Sequence, residues 1–319
     1  MRTLLEVKNL RVSFFTSRGE VRAVDGVSFS VAPGRLTGLV GESGSGKTVS
    51  VLSIMRLLPE NAHVTGGSVT FDGLDLLRLS EAEMRAIRGA WIAMIFQEPM
   101  TSLNPVFTIG SQVGEAIRLH QRTNRHETRA RTIEALRMVG IADPERRVND
   151  YPHQLSGGMR QRVMIAMALA CNPKVLIADE PTTALDVTIQ AEILDLIRDL
   201  QSRLGLAVIL VTHDLGIVAQ YADDVTILYA ARVMERTSAA ELFRNPLCPY
   251  TQALFAALPS IDGGQRRLQA IPGVVPSAMN PPAGCRFHPR CQIAIEDCSH
   301  VDPPLEEKAP GHYVSCIRI

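Results

Sequence analysis

The sequence lacks an excess of charge of either sign. Lys and Arg together number 33, as do Asp and Glu, so the formal net charge of the 319 residues is zero. Proteins that bind nucleic acid or acidic lipid usually carry a basic patch that tips this balance. The equal counts favour an ordinary solvated surface over either kind of partner. The length allows one large domain with an appendage, or two modest domains.

Long apolar runs are lacking as well. No stretch approaches the roughly 20 apolar residues that a membrane-spanning helix needs, and residues 1–8 contain no signal-peptide core. We therefore expect a cytosolic chain whose role at a membrane, if it has one, passes through a partner.

A phosphate-binding loop is the clearest motif present. Gly41 to Thr48 reads Gly-Glu-Ser-Gly-Ser-Gly-Lys-Thr and fits the pattern G-x-x-x-x-G-K-[ST] at every fixed position. An apolar strand at 36–40 precedes it, and apolar residues at helical spacing follow it at 49–58, so a chance glycine-rich loop is the weaker interpretation. In a P-loop the backbone N–H groups and the helix start face the phosphates. The lysine reaches the β- and γ-phosphates, and the threonine hydroxyl binds Mg²⁺.

The regions around this loop show both strand and helix patterns. Alternation from Leu4 to Val31 predicts an antiparallel β layer, and a second short strand follows at 66–73. The apolar residues 92–96 predict a buried strand, and residues 111–140 have the spacing of a charged amphipathic helix. Their apolar residues are expected to be ordinary core.

Four polar residues follow predicted strands. One apolar strand ends in Asp179 and Glu180, another is followed by His213, and a third stops at Gln97. Ligands of open α/β sheets gather at the carboxyl ends of parallel strands, so we expect these residues and the P-loop to converge on one nucleotide. An aspartate there can hold Mg²⁺, and a glutamate can polarise the attacking water. Strands that merely end in solvated acids are the alternative.

Residues 155–162, Leu-Ser-Gly-Gly-Met-Arg-Gln-Arg, open a further helix. Two glycines at a helix start expose N–H groups and suggest a second anion site. By itself this signal is weak, because serine followed by glycine is a common N-cap.

Taken together and in this order, the motifs resemble the ATP-binding subunit of an ABC transporter over roughly residues 1–245. The resemblance implies an α/β fold: a P-loop ABC-type nucleotide-binding domain with a RecA-like core, an antiparallel β subdomain and an inserted helical subdomain at about 98–165. It implies ATP-binding residues Phe14, whose ring would stack on adenine, and Gly41, Glu42, Ser43, Gly44, Ser45, Gly46, Lys47, Thr48 and Asp179. It implies Mg²⁺-binding residues Thr48, Gln97 and Asp179, and catalytic residues Glu180, His213 and Gln97.

The resemblance also implies that two such domains close face to face around two ATP molecules. The residues that would act on the ATP of the opposite subunit are Ser156, Gly157 and Gly158 of the signature motif, and Asp186 of the D-loop Ala184-Leu185-Asp186. Glu180 would orient the attacking water, and the closing and reopening would drive the membrane subunits. One departure is Met159, since the signature usually ends in Gln. The phosphate contacts of that motif come from the serine and the glycine N–H groups, so we expect function to survive.

Residues beyond about 245 resemble the C-terminal extension of dipeptide and oligopeptide importer ATPases. The similar stretches are 245–254, 271–273 and 284–291, with Cys248 where that subfamily commonly has His. The implied function is an ATPase that powers import of di- or oligopeptides. The implied partners are a second ATPase subunit, by family habit a paralogue, two integral-membrane permease subunits and an extracytoplasmic peptide-binding protein. The implied location is peripheral, on the cytoplasmic face of the inner membrane.

These two resemblances divide the chain into an ATPase domain at 1–245 and an extension at 246–319. The Pro- and Gly-rich passage at 259–284 has the composition of a linker. Two other functions stay open: an importer ATPase for another solute such as nickel, and a soluble ABC-type ATPase. For a soluble ABC-type ATPase acting on nucleic acid or ribosomes, we would expect a basic patch or a second P-loop.

Four of the six cysteines, Cys285, Cys291, Cys298 and Cys316, lie in the last thirty-five residues. In a reducing compartment such a cluster indicates a metal rather than disulfides. Four thiolates suit Zn²⁺ and an iron–sulfur cluster equally well, and the spacing C-x5-C-x6-C-x17-C does not distinguish them. The importer resemblance implies a [4Fe–4S] cluster, with Zn²⁺ and unligated buried thiols as alternatives. The histidines that could replace a thiolate are His288, His300 and His312. We further hypothesise that the metal staples a tail with too few apolar residues to fold alone.

Overall fold

The structure is a computed structural model that describes residues 3–97, 102–183, 185–258 and 270–319. The predicted start of the helical subdomain at 98, Ala184 of the predicted D-loop and residues 259–269 of the predicted linker lie outside the described residues. The chain forms two compact units. The P-loop unit comprises Leu5–Ser30, Thr37–Leu77 and Thr212–Ile319. The signature unit comprises Met1–Leu4, Val31–Leu36 and Arg78–Val211.

Within the described residues, strands and helices have the following bounds. The strands are β1 (Leu5–Thr16), β2 (Gly19–Val31), β3 (Leu36–Val40), β4 (Ala62–Phe71), β5 (Leu74–Asp75), β6 (Ile92–Ile95), β7 (Val175–Asp179), β8 (Ala207–Thr212), β9 (Asp224–Tyr229), β10 (Arg232–Ser238), β11 (Glu306–Ala309) and β12 (His312–Val314). The α-helices are α1 (Lys47–Met55), α2 (Glu81–Ile87), α3 (Ile109–Gln121), α4 (Arg125–Met138), α5 (Pro144–Arg147), α6 (Gly157–Leu169), α7 (Val187–Leu204), α8 (Leu215–Tyr221), α9 (Ala239–Arg244) and α10 (Pro249–Ala256).

The predicted antiparallel β layer is present in the P-loop unit as a sheet of order β2-β1-β4-β5. The predicted second strand is longer than expected, because β4 pairs with β1 as far as Phe14↔Ala62. The pair Gly66-Gly67, which has the composition of a turn, lies inside β4, opposite a register shift in β1 between Lys8 and Arg11. Glycine inside a strand commonly marks such a bulge. Because glycine is also a turn residue, composition alone predicts a strand that starts too late.

A second set of strands in the P-loop unit carries the phosphate loop. Strand β3 is buried along its whole length and runs parallel to β9, which pairs antiparallel with β10. The last strands of the chain join the same set, since Glu235 of β10 lies opposite Val314 of β12, and β11 pairs with β12. The C-terminal residues thus extend the set of strands that carries the P-loop.

An aromatic cluster forms the core between β9 and the C-terminal region. The ring of Tyr229 lies 4.6 Å from that of Tyr250 and 5.4 Å from that of Phe287, measured between centroids. All three side chains are buried, as is Val314. The C-terminal tail therefore buries more apolar side chains than its composition led us to expect.

In the signature unit, β7 lies between β6 and β8, and all three strands are parallel. Every residue of β7 and β8 is buried. Such continuous apolar strands are typical of parallel sheets covered on both faces.

The single helix predicted at 111–140 is two helices, α3 and α4. Arg122 ends α3 in a left-handed conformation, and the side chain of Asn124 accepts a hydrogen bond from the backbone N–H of Glu127 at the start of α4. The apolar spacing continues across this break because α3, α4 and α6 pack together. Periodicity alone therefore did not reveal the break between the two helices. No helix in the described part of the chain is long and apolar enough to cross a membrane.

Candidate functional site

The P-loop leaves β3 after Val40 and enters α1 at Lys47. Glycine is required at two positions of the loop, because backbone atoms of other segments lie close to the α-carbon there. A Cβ atom on Gly41 would lie 2.1 Å from the carbonyl oxygen of Leu228, and one on Gly46 would lie 2.4 Å from that of Ala23. Gly46 also has a positive φ of 97° where it caps α1. No side chain fits at these positions, so the loop backbone can be packed tightly below the helix start.

Polar groups inside the loop point to an anion site. The Lys47 ammonium donates to the carbonyl oxygens of Gly41 (2.8 Å) and Glu42 (3.1 Å) and is largely buried. The hydroxyl of Ser45 is buried and has no hydrogen-bond partner among the described residues. A buried hydroxyl without a protein partner is uncommon and is typical of a place where a ligand binds. Thr48 follows in the first turn of α1, half-buried.

The side chain of Glu42 is held by the C-terminal extension. Its carboxylate forms two hydrogen bonds with the guanidinium of Arg290, at 2.8 and 3.2 Å. The hydroxyl of Tyr250 lies 3.4 Å from the Glu42 backbone nitrogen. Sequence reasoning assigned no role to Arg290 or Tyr250, because they lie more than 200 residues from the loop and belong to no nucleotide-binding motif. Both residues lie in the stretches 245–254 and 284–291, whose resemblance to the importer extension was the sequence feature that could have indicated a role for them.

In the signature unit, two predicted catalytic residues are brought together at the end of β7. The Glu180 carboxylate accepts hydrogen bonds from the side-chain amide of Gln97 (2.9 Å) and from the hydroxyl of Thr183 (3.1 Å). Glu180 has a φ of 45°, and its backbone N–H bonds to the carbonyl oxygen of Val211. A non-glycine residue in this conformation is uncommon and often marks a functional position. Asp179, the last residue of β7, is buried.

The signature motif begins helix α6. Ser156 caps this helix by accepting a hydrogen bond from the N–H of Met159 at 3.3 Å, and Ser156 and Gly157 are exposed. Asp186 caps α7 in the same way, through the N–H of Ile189 at 3.0 Å. Both predicted trans-acting motifs therefore lie at helix N-termini, where exposed N–H groups and the helix dipole favour negative charge.

The remaining predicted nucleotide residues belong to the P-loop unit. His213 directly follows β8 and is exposed, and the next residue, Asp214, caps α8. Phe14 lies near the end of β1, half-buried, and its neighbour Phe15 is 50% exposed. The ring of Phe15 lies 5.8 Å from that of His63, measured between centroids, so the stacking role of Phe14 stays a prediction.

The four C-terminal cysteines line one cavity, together with Cys248 and His288. The thiols are free, and burial raises the pKa of Cys285 and of Cys291 above the ordinary value for cysteine. Within the described ranges, however, no group of three or more His, Cys, Asp or Glu side chains lies where it could hold a metal ion. The predicted metal site is therefore not shown by the side-chain positions.

The predicted alternative ligands are distributed differently. His288 lies at the cavity, with its Nδ1 2.9 Å from the carbonyl oxygen of Cys285. His312 is fully buried elsewhere, with its Nε2 2.6 Å from the carboxylate of Glu235. His300 is exposed. His312 does not line the cavity of the thiols, and its Nε2 is bonded to Glu235, so the structure does not place this predicted alternative ligand with the cysteines.

Comparison with known proteins identifies the family of this chain. Residues 24–183 match the ABC transporter family, and residues 234–298 match the C-terminal region of oligopeptide and dipeptide transporters. The chain belongs to the ABC transporter family. The first match confirms that the nucleotide-binding motifs resemble those of ABC transporters, and the second confirms that the C-terminal stretches resemble the extension of peptide importers.

Several relatives match nearly the whole chain. A probable peptide ABC transporter ATP-binding protein of Sinorhizobium fredii, y4tR, is 54% identical over 99% of this chain and 95% of its own. The dipeptide transport ATP-binding protein DppD of Escherichia coli is 50% identical over 98% and 96%. The oligopeptide transport ATP-binding protein AppD of Bacillus subtilis is 49% identical over 99% and 97%.

Solved structures confirm the fold. The ATP-binding cassette MJ0796, in a dimeric post-hydrolysis state bound to ADP and Pi, has a TM-score of 0.66 at 30% identity. It covers 74% of this chain and 98% of its own. The predicted P-loop ABC ATPase fold with mixed α/β sheets is therefore confirmed, and with it the prediction that the chain is an ATP-binding, ATP-hydrolysing enzyme.

Proposed function

We propose that this chain is the ATP-hydrolysing subunit that powers the import of di- or oligopeptides through a membrane ABC transporter. The observation that carries the proposal is the match of residues 234–298 to the oligopeptide and dipeptide transporter C-terminal region, in a chain with a complete set of ATPase motifs. The names of the relatives DppD and AppD support peptides as the cargo. In such importers the choice of peptide lies in the binding protein and the permease.

The P-loop is proposed to hold the phosphates of ATP. The backbone N–H groups from Gly41 to Thr48 and the unpartnered hydroxyl of Ser45 would bind phosphate oxygens. Lys47 would move from the carbonyl oxygens that it now contacts to the β- and γ-phosphates. The ring of Phe14 would stack on adenine.

Mg²⁺ and the attacking water are proposed to bind at the end of β7. Asp179, Gln97 and the hydroxyl of Thr48 would hold the ion, whose positive charge would offset the negative charge of the phosphates. Glu180 would orient and deprotonate the water, and its existing hydrogen bond to Gln97 supports a shared location for the two side chains. His213 would contact the γ-phosphate.

Hydrolysis is proposed to require a second ATPase subunit. The N-terminus of α6, with Ser156, Gly157 and Gly158, and Asp186 would act on the ATP of that partner. The dimeric state of the related cassette MJ0796 supports this arrangement. Met159 uses its backbone N–H to bond Ser156, a contact that any residue except proline provides, which supports an intact signature motif.

The wider assembly is proposed by analogy with peptide importers. The partners would be a paralogous ATPase subunit, two membrane permease subunits and an extracytoplasmic peptide-binding protein. The chain would be peripheral at the cytoplasmic face of the inner membrane. The proposed division into an ATPase domain at 1–245, including a helical subdomain from about 98 to 165, and an extension at 246–319 follows the same analogy.

The four cysteines are proposed to bind a [4Fe–4S] cluster, with Zn²⁺ as the alternative. Their common cavity and the softness of thiolate ligands support a metal, although binding would require the side chains to move from their present positions. The metal would act as a structural clip of the extension. Anaerobic purification with metal and sulfide analysis tests this: about four irons and four sulfides per chain support the cluster, and one zinc supports the alternative. A chain free of both refutes the site.

Peptide uptake into vesicles that contain the complete transporter tests the function. The variant Glu180→Gln should abolish ATP-driven uptake of a labelled dipeptide, whereas Glu134→Gln, the same change at an exposed site on α4, should leave it intact. Uptake that persists in Glu180→Gln, or a wild-type transporter that moves no peptide of two to five residues, would refute the proposal.

A further inference from the structure

A carboxylate lies within the anion-binding loop. Glu42 is the second residue of the P-loop, and its backbone carbonyl accepts a hydrogen bond from the Lys47 ammonium at 3.1 Å. A negative side chain at this place opposes the binding of a triphosphate, because like charges repel and the loop is partly shielded from water. The loop therefore needs a positive group that neutralises Glu42 and directs its carboxylate.

Arg290 of the extension is that group. Its two terminal nitrogens bond the two carboxylate oxygens of Glu42 at 2.8 and 3.2 Å. This two-pronged geometry is specific to the planar guanidinium and is among the stronger side-chain interactions in proteins. The Arg290 side chain is about 5% exposed, so the pair is little screened by solvent on that side.

Other contacts fix the direction of Arg290. Its Nε donates to the carbonyl oxygen of Pro272 at 2.9 Å, and one terminal nitrogen donates to the hydroxyl of Tyr229 at 3.2 Å. Pro272 belongs to the extension, and Tyr229 ends strand β9, which pairs with the P-loop strand β3. The guanidinium is therefore preorganised toward Glu42 rather than drawn to it from solvent.

Tyr250 adds a second contact from the extension to the same residue. Its hydroxyl lies 3.4 Å from the backbone nitrogen of Glu42 and 3.5 Å from its carboxylate. Burial raises the pKa of Tyr250 far above the ordinary value for tyrosine, so the phenol stays neutral and keeps its proton for donation. The extension thus contacts both the main chain and the side chain of one P-loop residue.

We propose that Arg290 is a positioning residue for ATP binding, which neutralises and aims Glu42 and thereby holds the P-loop in its nucleotide-binding shape. This inference rests on the proposed role of the P-loop. It assigns to the C-terminal extension a direct part in the affinity of the ATP site.

Equilibrium binding of ATP, ADP and adenosine to the full chain tests this inference. In Arg290→Gln the carboxylate of Glu42 remains without its cation, so ATP affinity should fall about tenfold, ADP affinity less, and adenosine affinity should not change. Adding Glu42→Gln to Arg290→Gln should restore most of the ATP affinity, because the repelling charge is gone. Arg290→Lys keeps the positive charge but not the two-pronged guanidinium, so its ATP affinity should fall about threefold.

The controls separate this inference from its basis. Arg244→Gln, at an arginine whose side chain is 79% exposed at the end of α9, should bind ATP as the wild type does. Lys47→Ala should lose ATP binding; if it does not, or if the wild type binds no ATP, the proposed function fails. If the wild type binds ATP and Arg290→Gln binds it equally well, or loses ATP and adenosine to the same extent, the positioning role is wrong. Should Arg290→Gln not fold, the same comparison of ATP with adenosine in Arg290→Lys decides the question.

Discussion

Glu42 and Glu180 occupy similar places in their two units, since each follows the end of a buried parallel strand, and their surroundings differ. Glu42 is held by a guanidinium and a phenol of the C-terminal extension. Glu180 accepts hydrogen bonds from the neutral amide of Gln97 and the neutral hydroxyl of Thr183. Both carboxylate oxygens of Glu42 are bonded to one guanidinium, which directs the side chain toward the extension, whereas the donors to Glu180 are uncharged side chains at the end of β7. This difference supports the proposed roles, an anchor at Glu42 and a base at Glu180.

The largest expected effect comes from Glu180→Gln. The amide cannot accept the proton of water, so ATP hydrolysis should slow by at least about a hundredfold while ATP binding persists. Size-exclusion chromatography of the ATPase pair with ATP and Mg²⁺ should then reveal a trapped closed dimer. Hydrolysis near the wild-type rate would remove Glu180 from the role of base.

A much smaller effect is expected from Glu42→Gln, the same chemical change at the other strand end. The amide still accepts a hydrogen bond from Arg290, and the arginine charge then favours the phosphates, so the hydrolysis rate should fall by no more than about threefold. Steady-state ATPase assays of both variants provide the check. A loss at Glu42 as large as that at Glu180 would contradict the division of roles.

Thr183→Val sharpens the comparison at the Glu180 side. It removes a neutral donor 3.1 Å from the carboxylate, so the hydrolysis rate should fall about threefold with ATP affinity unchanged. The matched variant Thr183→Ser retains the hydroxyl and should behave as the wild type. A change in ATP affinity instead of rate would place Thr183 in binding.

A second carboxylate that pairs with the extension should affect stability alone. Asp25 bonds Arg286 at 2.7 Å and Arg232 at 2.8 Å. Burial raises the pKa of Asp25, but the hydrogen bond and charge of Arg232 and the charge of Arg286 outweigh it and hold the pKa below the ordinary 3.8. A lowered folded pKa means stabilisation that is present above the unfolded value and lost as the pH falls through the folded one.

Asp25→Asn should therefore lower Tm by about 4 °C at pH 7, with the difference shrinking toward pH 3. Thermal unfolding followed by circular dichroism at both pH values measures it. ATP affinity should stay at the wild-type level, in contrast to Arg290→Gln. A Tm difference that grows on acidification would mean that Asp25 is not stabilised as a carboxylate.

Local patterns were enough to predict the elements that carry the proposed nucleotide-binding residues. The P-loop, strand β7 with its terminal acids and the start of α6 are each encoded within about ten residues, because strand burial, turn glycines and helix caps are short-range features. The meeting of Gln97 with Glu180 followed from the rule that parallel strands end at one edge of a sheet.

Long-range partners could not be predicted in this way. Glu42 and Arg290 are 248 residues apart, and no periodicity links them. Likewise, the cysteine spacing indicated a common location for the thiols, and they do share a cavity, but it did not predict that His312 pairs with Glu235. Such contacts depend on how the extension folds onto β9 and β10, which only the tertiary structure reveals.

The most direct test of the opposed roles of the two glutamates is to measure, in parallel, the ATP dissociation constant and the single-turnover hydrolysis rate of Glu180→Gln and Arg290→Gln in the assembled ATPase pair. We expect Glu180→Gln to lose the rate by at least about a hundredfold at nearly wild-type affinity, and Arg290→Gln to lose affinity about tenfold with nearly the wild-type rate from bound ATP. Losses of rate and affinity in the same proportion in both variants would contradict the assignment of one glutamate as anchor and the other as base.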